Sequence, residues 1–514
     1  MKPTVLIPGR NCWSIEQASR AAFLIDGDAY FRAFRAAVAQ ARGSVMILGW
    51  DFDTRLVMVR DHPPDPYPAR LGDFLLAVLR QRPRLNMYVL NWDFHLIYSL
   101  EREWWSRYKL NWRRRFHFHM DDDHPVGASH HQKIVVIDDH VAFVGGFDLA
   151  QCRWDTPEHR PHDPRRINFD GPDCPPFHDV QILVSGHTAC SLGKLARERW
   201  WRATGERLPQ PSVSTDADPW PSHVEPDMED VPVAIARTEP QQGGRPAVRE
   251  VERLFLDVIR SARRFLYIET QYLTCNRVAD ALADRLEADE GPEVLFVLHP
   301  SSGGWLEQHT MDVLRERVLR VLRKADRHGR LKVYYPDVPG LGDRCMTVHS
   351  KVLIVDDELI RIGSANLSNR SMGFDTECDL AIEAGNDDRV RQAIAGLRNQ
   401  LLGEHLGVAP EIVAERFRRM PSGLDAVESL RGDQRTLQPF ESRVSLHAES
   451  WLPDAELIDP DGPLDPDAVV DHIITPHQRK PAGRQIIIGA AILLSLLGLA
   501  AAWRWTPLRA WLDI

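Results

Sequence analysis

Two 18-residue segments read alike without a gap: His131 to Asp148, HQKIVVIDDHVAFVGGFD, and His349 to Asn366, HSKVLIVDDELIRIGSAN. In each, a histidine and a lysine two residues apart precede four apolar residues, two aspartates, a second apolar stretch and a small-residue pair, Gly145-Gly146 or Gly363-Ser364. Residues two apart on an extended segment point to the same side, so His131 and Lys133 share a face, as do His349 and Lys351. A lysine at that reach can neutralise the non-bridging oxygens of a phosphodiester without a metal. Imidazole titrates near neutral pH, so one histidine can attack phosphorus while the other protonates the leaving alcohol. The two titrate as a coupled pair, one starting neutral and the other protonated. General acid catalysis contributes roughly 10²–10⁴-fold, and a phosphohistidine intermediate would split the displacement into two easier steps. This chemistry calls for no cofactor and no metal ligand.

The elements that must hold these groups follow from the same repeat. The apolar stretches predict a strand, a tight turn at the aspartates and a second strand. Asp138 and Asp356 complete the repeat and are counted with the catalytic set, although a turn aspartate also satisfies local backbone amides. Short aliphatic runs at Ser44 to Trp50 and Asn86 to Asn91 alternate with helical stretches such as Ala29 to Gln40. Phe265 to Ile268 and Val294 to Leu298, preceded by the helically periodic Val248 to Ser261, repeat the arrangement. The expected fold is therefore α/β, with two similar halves that share one active site. Each half would be a mostly parallel sheet flanked by helices. The first half covers residues 1–205 and the second 246–405. Residues 206–245, rich in Pro, Ser, Asp and Gln, are expected to be a linker or surface loop, and 406–481 a helical and polar tether.

Composition narrows the function classes. With 43% hydrophobic and 26% charged residues, the 514-residue chain can bury a sizeable core. A net charge of −10 and a pI near 6.1 argue against a broad nucleic-acid-binding surface. The seven cysteines are scattered without a CxxC pair, so reduced thiols are expected. No secretory leader is read at the N-terminus. Ile486 to Trp503 is an uncharged apolar run of 18 residues, which predicts a transmembrane helix over 484–505. Arg479, Lys480 and Arg484 before it, against Arg504 and Arg509 after it, place the large N-terminal part in the cytoplasm. Trp503 and Trp505 suit an interfacial belt, and the short remainder leaves room for a separate or missing multi-span membrane domain. His130 should point away from His131 and pack. Asp121-Asp122-Asp123-His124 lacks the spacing of a calcium loop and reads as a charged loop.

The duplicated motif resembles that of the phospholipase D superfamily, whose signature is HxKxxxxD twice in one chain. Arg153-Trp154-Asp155, Phe177-His178-Asp179-Val180, Tyr267 to Tyr272, and Asn369 to Met372 with Glu377 are similar to its lipid-acting branch, with Phe177 and Thr270 standing where Trp and Asn are usual. The resemblance covers roughly residues 20–400. It implies that His131 attacks phosphorus and that His349 protonates the headgroup and then activates water. It further implies that Lys133, Lys351, Ser364 and Asn366 bind phosphoryl oxygens, and that Glu377 and either Asp148 or Asp155 orient the histidines. The implied activity is release of the headgroup from a membrane phospholipid. The rivals are a cardiolipin synthase-like phosphatidyl transfer, a nuclease, which the charge disfavours, and a non-catalytic membrane-tethered module.

Overall fold

Each histidine-lysine segment leads into a hairpin whose turn accounts for the paired aspartates. In the computed structural model, which describes residues 4–60, 65–93, 114–167, 174–212, 218–300, 305–342, 344–441 and 459–463, Asp138 and Asp139 have φ of 55° and 58°, as do Asp356 and Asp357. Two successive left-handed residues open each three-residue loop with a tight turn, closed by His140 N to Ile137 O and Glu358 N to Val355 O, and aspartate tolerates that conformation better than most side chains. The turns join Ile134–Ile137 to Val141–Gly145 and Val352–Val355 to Leu359–Gly363, all fully buried and paired antiparallel. The second aspartate of each turn binds a helix: Asp139 pairs with Arg197 at 2.7 Å and Asp357 with Arg398 at 2.5 Å.

The strands in chain order are β1 (Ser14–Ile25), β2 (Ser44–Gly49), β3 (Asn86–Trp92), β4 (Phe116–Asp121), β5 (Ile134–Ile137), β6 (Val141–Gly145), β7 (Phe177–His178), β8 (Val180–Gly186) and β9 (Met228–Glu239). They continue as β10 (Val248–Arg249), β11 (Phe265–Thr270), β12 (Glu293–Leu298), β13 (Leu331–Asp337), β14 (Thr347–Val348), β15 (Val352–Val355), β16 (Leu359–Gly363), β17 (Glu377–Glu383) and β18 (Thr436–Pro439). One sheet runs β18-β13-β12-β11-β15-β16-β17-β9-β1-β8-β6-β5-β2-β3-β4, with β10 on β9. Outward from the central β9–β1 pair six strands on one side match six on the other, with β18 an added edge strand in the second half, so the duplication in sequence is a duplication in space.

Helices cover both faces. His187–Thr204 and Asp388–Leu406 lie in one core that draws side chains from both halves, including Leu192, Leu195, Ile394 and Leu401. Each ends at a left-handed glycine, Gly205 and Gly407, where a side chain would be strained. On the other face Asp26–Gln40 and Leu71–Gln81 pack in the first half, and Glu250–Ser261 and Asn276–Glu287 in the second. Glu250–Ser261 buries Val251, Leu254, Phe255, Val258 and Ile259 along one stripe, each contributing about 1.5–3 kcal/mol by leaving water.

Several sequence expectations are corrected. The sheet is mixed: only the flanks β2-β3-β4 and β11-β12-β13 and the small β7–β14 pair are parallel, because the motif hairpins force antiparallel pairing at the centre. The halves are not separate sheets, and Met1–Pro463 forms one compact unit. Within 206–245, β9 is a central strand with Val231, Val233, Ala234, Ile235 and Ala236 buried. Within 406–481, helices Pro410–Arg419 and Gly423–Glu428 pack on the sheet, and β18 pairs with β13. Cys152 and Cys174, 22 residues apart, are joined in a disulfide rather than left as thiols. The span expected over 484–505 lies outside the described residues, among which no helix is long and apolar enough to cross a membrane.

Candidate active site

The histidines are built into the junction between halves by a crossed set of contacts. The His131 amide donates to Thr376 O at 3.0 Å, and the His349 amide to His178 O at 2.9 Å. The side chains follow the same rule. His131 Nδ1 lies 3.0 Å from Glu377 Oε2, and His349 Nδ1 lies 2.6 Å from Asp179 Oδ2. Glu377 and Asp179 hold equivalent register positions, since Gly363 pairs with Asp379 and Gly145 with Gln181. Each half therefore supplies a histidine and the carboxylate that orients the other half's histidine. With Nδ1–H donated to a carboxylate, each Nε2 is left for chemistry. The Nζ atoms of Lys133 and Lys351 donate back to the carbonyls of His131 and His349, which folds each lysine beside its own histidine.

The halves differ where the pseudo-symmetry would place the same residue. Asp148 lies 3.1 Å from Lys133 Nζ, whereas Asn366 at the equivalent offset offers Lys351 no counter-charge. Burial lowers Lys351 to about 7, with Asp179 pulling the other way and Lys133 adding to the fall. Burial, together with Lys351, Arg153, Lys133 and His131, holds His349 well below the ordinary imidazole value. The Asp179 carboxyl rises to about 6 through burial, against the pull of Lys351. Burial also acts to raise Glu377, but His131, Ser364 and Ser371 outweigh it and keep that carboxyl below its usual range. The side chains of His131 and His349 are 17% and 10% exposed, and Lys133 only 1%, so the imidazoles are the accessible part of the site. Two lysines and Arg153, with two carboxylate-oriented imidazoles, suit an anionic ester oxygen better than a neutral one.

A family model described as "Phospholipase D" matches residues 113–278, and one described as "Cardiolipin synthase, PLD-like domain" matches 255–397, so each half carries its own motif within a match. The chain belongs to the phospholipase D superfamily. It is 24% identical to Phospholipase D1 of Saccharomyces cerevisiae across 77% of its own length and 29% of that protein's. With Phospholipase D alpha 3 of Arabidopsis thaliana it shares 25% identity, covering 72% of itself and 62% of the relative. The chain thus spans less than two thirds of these relatives. The fold is similar to that of phosphatidylserine synthase from Haemophilus influenzae Rd KW20, with a TM-score of 0.52 and 15% identity, covering 75% of this chain and 86% of that one.

Against the superfamily motif, the structure brings His131, Lys133, His349 and Lys351 together and takes its aspartates away. Asp138 sits beyond the far end of β5, where its carboxylate accepts the amides of Arg42, Gly43 and Ser44 at 2.7 Å each. Asp356 does the same for Arg263, Arg264 and Phe265 at 2.8 Å. Both tie the hairpin to the start of the neighbouring strand. Asp138→Ala is accordingly expected to cost roughly 3 kcal/mol in denaturant unfolding, while turnover per folded molecule stays within about threefold of wild type. A thousandfold loss of turnover at an unchanged unfolding midpoint would return Asp138 to the chemistry.

Other assignments also shift. Ser364, expected on a phosphoryl oxygen, donates instead to Glu377 at 2.5 Å and accepts from Cys378 N. Asn366 is buried, and its Oδ1 takes no hydrogen bond. Asp148 neutralises Lys133 and accepts from Trp50 N, and Asp155 binds His159 and Arg166, so neither orients His349. That residue is Asp179 of the Phe177-His178-Asp179-Val180 segment, whose role no local spacing in the sequence signals. Gly146, the counterpart of Ser364, makes its place: a Cβ there would lie 2.1 Å from Asp179 Oδ1. Arg153 was also not singled out; its guanidinium lies 4.8 Å over the Phe177 ring, which is 5.3 Å from that of His349. His130 packs as expected, against Arg199, Thr376 and Asp121.

Proposed function

We propose that the chain is a phospholipase D, cleaving the headgroup-side phosphodiester of glycerophospholipids. The observation that carries this reading is the pair of histidine-lysine segments delivered to one pocket, each imidazole aimed by a carboxylate from the opposite half. His131, with Nδ1–H on Glu377, attacks phosphorus through Nε2. The bond from phosphorus to the headgroup oxygen breaks as that oxygen takes a proton from His349. Lys133, Lys351 and the Asn366 amide hold the non-bridging oxygens. Water, deprotonated by His349, then attacks the phosphohistidine, releasing phosphatidate and restoring His131. The match of residues 255–397 to a cardiolipin synthase model favours, as a second reading, an alcohol acceptor in place of water. The apolar run from Ile486 to Trp503 would hold the site at the lipid surface at high effective concentration. The Cys152–Cys174 bond favours the oxidising side of that membrane over the cytoplasmic side suggested by the flanking basic residues.

The direct test is headgroup release by the full chain from vesicles of phosphatidylcholine and phosphatidylethanolamine. Equal amounts of free headgroup and phosphatidate are expected. No release from either lipid, with another diester cleaved, would overturn the substrate assignment. The same assay has a pH signature. Lys351, lowered by burial to about 7, must be charged to hold the ester, and the depressed His349 must be protonated to act as the acid. Both charged forms are lost as pH rises, so kcat/KM should fall on going from pH 6 to pH 8. An incoming anion offsets the lysine charges and raises both groups, so kcat should hold to higher pH than kcat/KM. A kcat/KM that climbs over this interval would mean that the two groups act in their neutral forms.

A further inference from the structure

Behind the active site lies a second convergence of imidazoles and carboxylates that the phosphoryl chemistry does not use. His178 Nδ1 lies 2.7 Å from Glu404 Oε1 and 3.0 Å from Asp26 Oδ1. His159 Nε2 lies 2.9 Å from the same Glu404 oxygen and 3.4 Å from Asp26 Oδ2. Asp26, His159 and His178 are fully buried and Glu404 is 4% exposed; one side-chain donor atom from each lies within 4.8 Å of all the others. Asp26 Oδ2 accepts no hydrogen bond, although it has no access to solvent. The two inner imidazole protons serve Asp26 Oδ1 and Glu404 Oε1 and leave Asp26 Oδ2 without a donor, whereas one central cation would contact all four groups.

The outer nitrogens of the two rings complete the pattern. His159 Nδ1 is 2.8 Å from Asp155, which is itself fixed by Arg166 and by the amides of Thr156 and Phe177. His178 Nε2 is 3.1 Å from Glu269, which also accepts from Ser350. An imidazole whose inner nitrogen faces a shared centre, and whose outer N–H is held by a carboxylate, is the arrangement that orients metal-binding histidines. We propose that Asp26, His159, His178 and Glu404 form a closed four-coordinate site for a divalent first-row transition ion, zinc being the first choice.

Two imidazoles and two carboxylates suit zinc better than calcium or magnesium, which prefer oxygen donors only. Tetrahedral ligands on zinc stand roughly 3.3 Å apart, so Glu404, now 2.7 and 2.9 Å from His178 and His159, would draw back by roughly half an ångström as the four donors, all within 4.8 Å of one another, close on the ion. With no open position in a fully buried site, the ion is structural. It joins residues from both halves of the chain and braces His178, the neighbour of Asp179, which aims His349.

The test uses the full chain, purified without a histidine tag or chelator from medium supplemented with zinc, manganese and iron. Elemental analysis should give about one transition ion per chain in wild type and less than about 0.1 in His159→Gln combined with Glu404→Gln. To keep the test independent of how that variant folds, wild type is also stripped with dipicolinate. Stripping should lower the Tm, one equivalent of zinc should restore it, and cobalt should give the visible absorption of a tetrahedral site. Wild type that holds no ion after any supplement and shows no cobalt band would overturn the proposal, as would an ion retained undiminished by the double variant.

Discussion

His131→Ala and His349→Ala should each lose phospholipid turnover by about 10⁴-fold or more, and the double variant should be no worse than either alone, because the two act as one unit. An activated substrate separates their roles. A p-nitrophenyl phosphodiester carries a leaving group that departs without a proton, so His349→Ala should still release about one nitrophenolate per chain and then stall as a phosphohistidine on His131. His131→Ala should give no burst and no covalent label. The structure makes this a real choice, since burial and the surrounding cations keep His349 neutral in the free pocket, and neutrality is what a nucleophile requires. The reverse pattern, a burst from His131→Ala alone, would exchange the two assignments. Absence of a label from every form would remove the covalent mechanism.

The histidine-lysine pairs were legible in the sequence because everything that defines them is local: two in-register copies, a two-residue spacing and a small-residue pair at a fixed offset. The hairpin turns were legible for the same reason, and the left-handed Asp138 and Asp356 show why aspartate stands there. Their catalytic reading failed because the motif records a fixed position without saying which end of the strand it occupies. Strand β9 was missed because Pro232 interrupts its apolar run and argues against a central strand. Pro232 faces Gln17 of β1, while β17 pairs only with Ala234 to Thr238, so at the proline β9 is locally an edge and needs no second hydrogen-bond partner. Strand β18 has four residues, too few to show a period. The Cys152–Cys174 pair depends on a fold that brings two loops together, which spacing does not report.

Asp179 was hidden by an insertion. Glu377 follows His349 by 28 residues, whereas Asp179 follows His131 by 48, since the segment from Leu149 to His178 is far longer than its counterpart from Leu367 to Thr376. Aligned by strand register instead of by offset, the two carboxylates coincide, and their variants should differ in kind. Asp179→Asn presents an amide N–H to His349 Nδ1 and favours the tautomer with its proton on Nε2. Glu377→Gln does the same to His131 and also disturbs Ser364 and Ser371, which both donate to Glu377. Each should lower kcat on phospholipid by about 10²–10⁴-fold, with KM little changed. On the p-nitrophenyl ester they should part. Asp179→Asn, which misaligns only the proton donor, should keep a burst of near wild-type rate followed by slow turnover. Glu377→Gln, which misaligns the nucleophile, should slow the burst itself. Equal burst rates in the two variants would show that the crossed carboxylates hold the halves together without aiming the histidines.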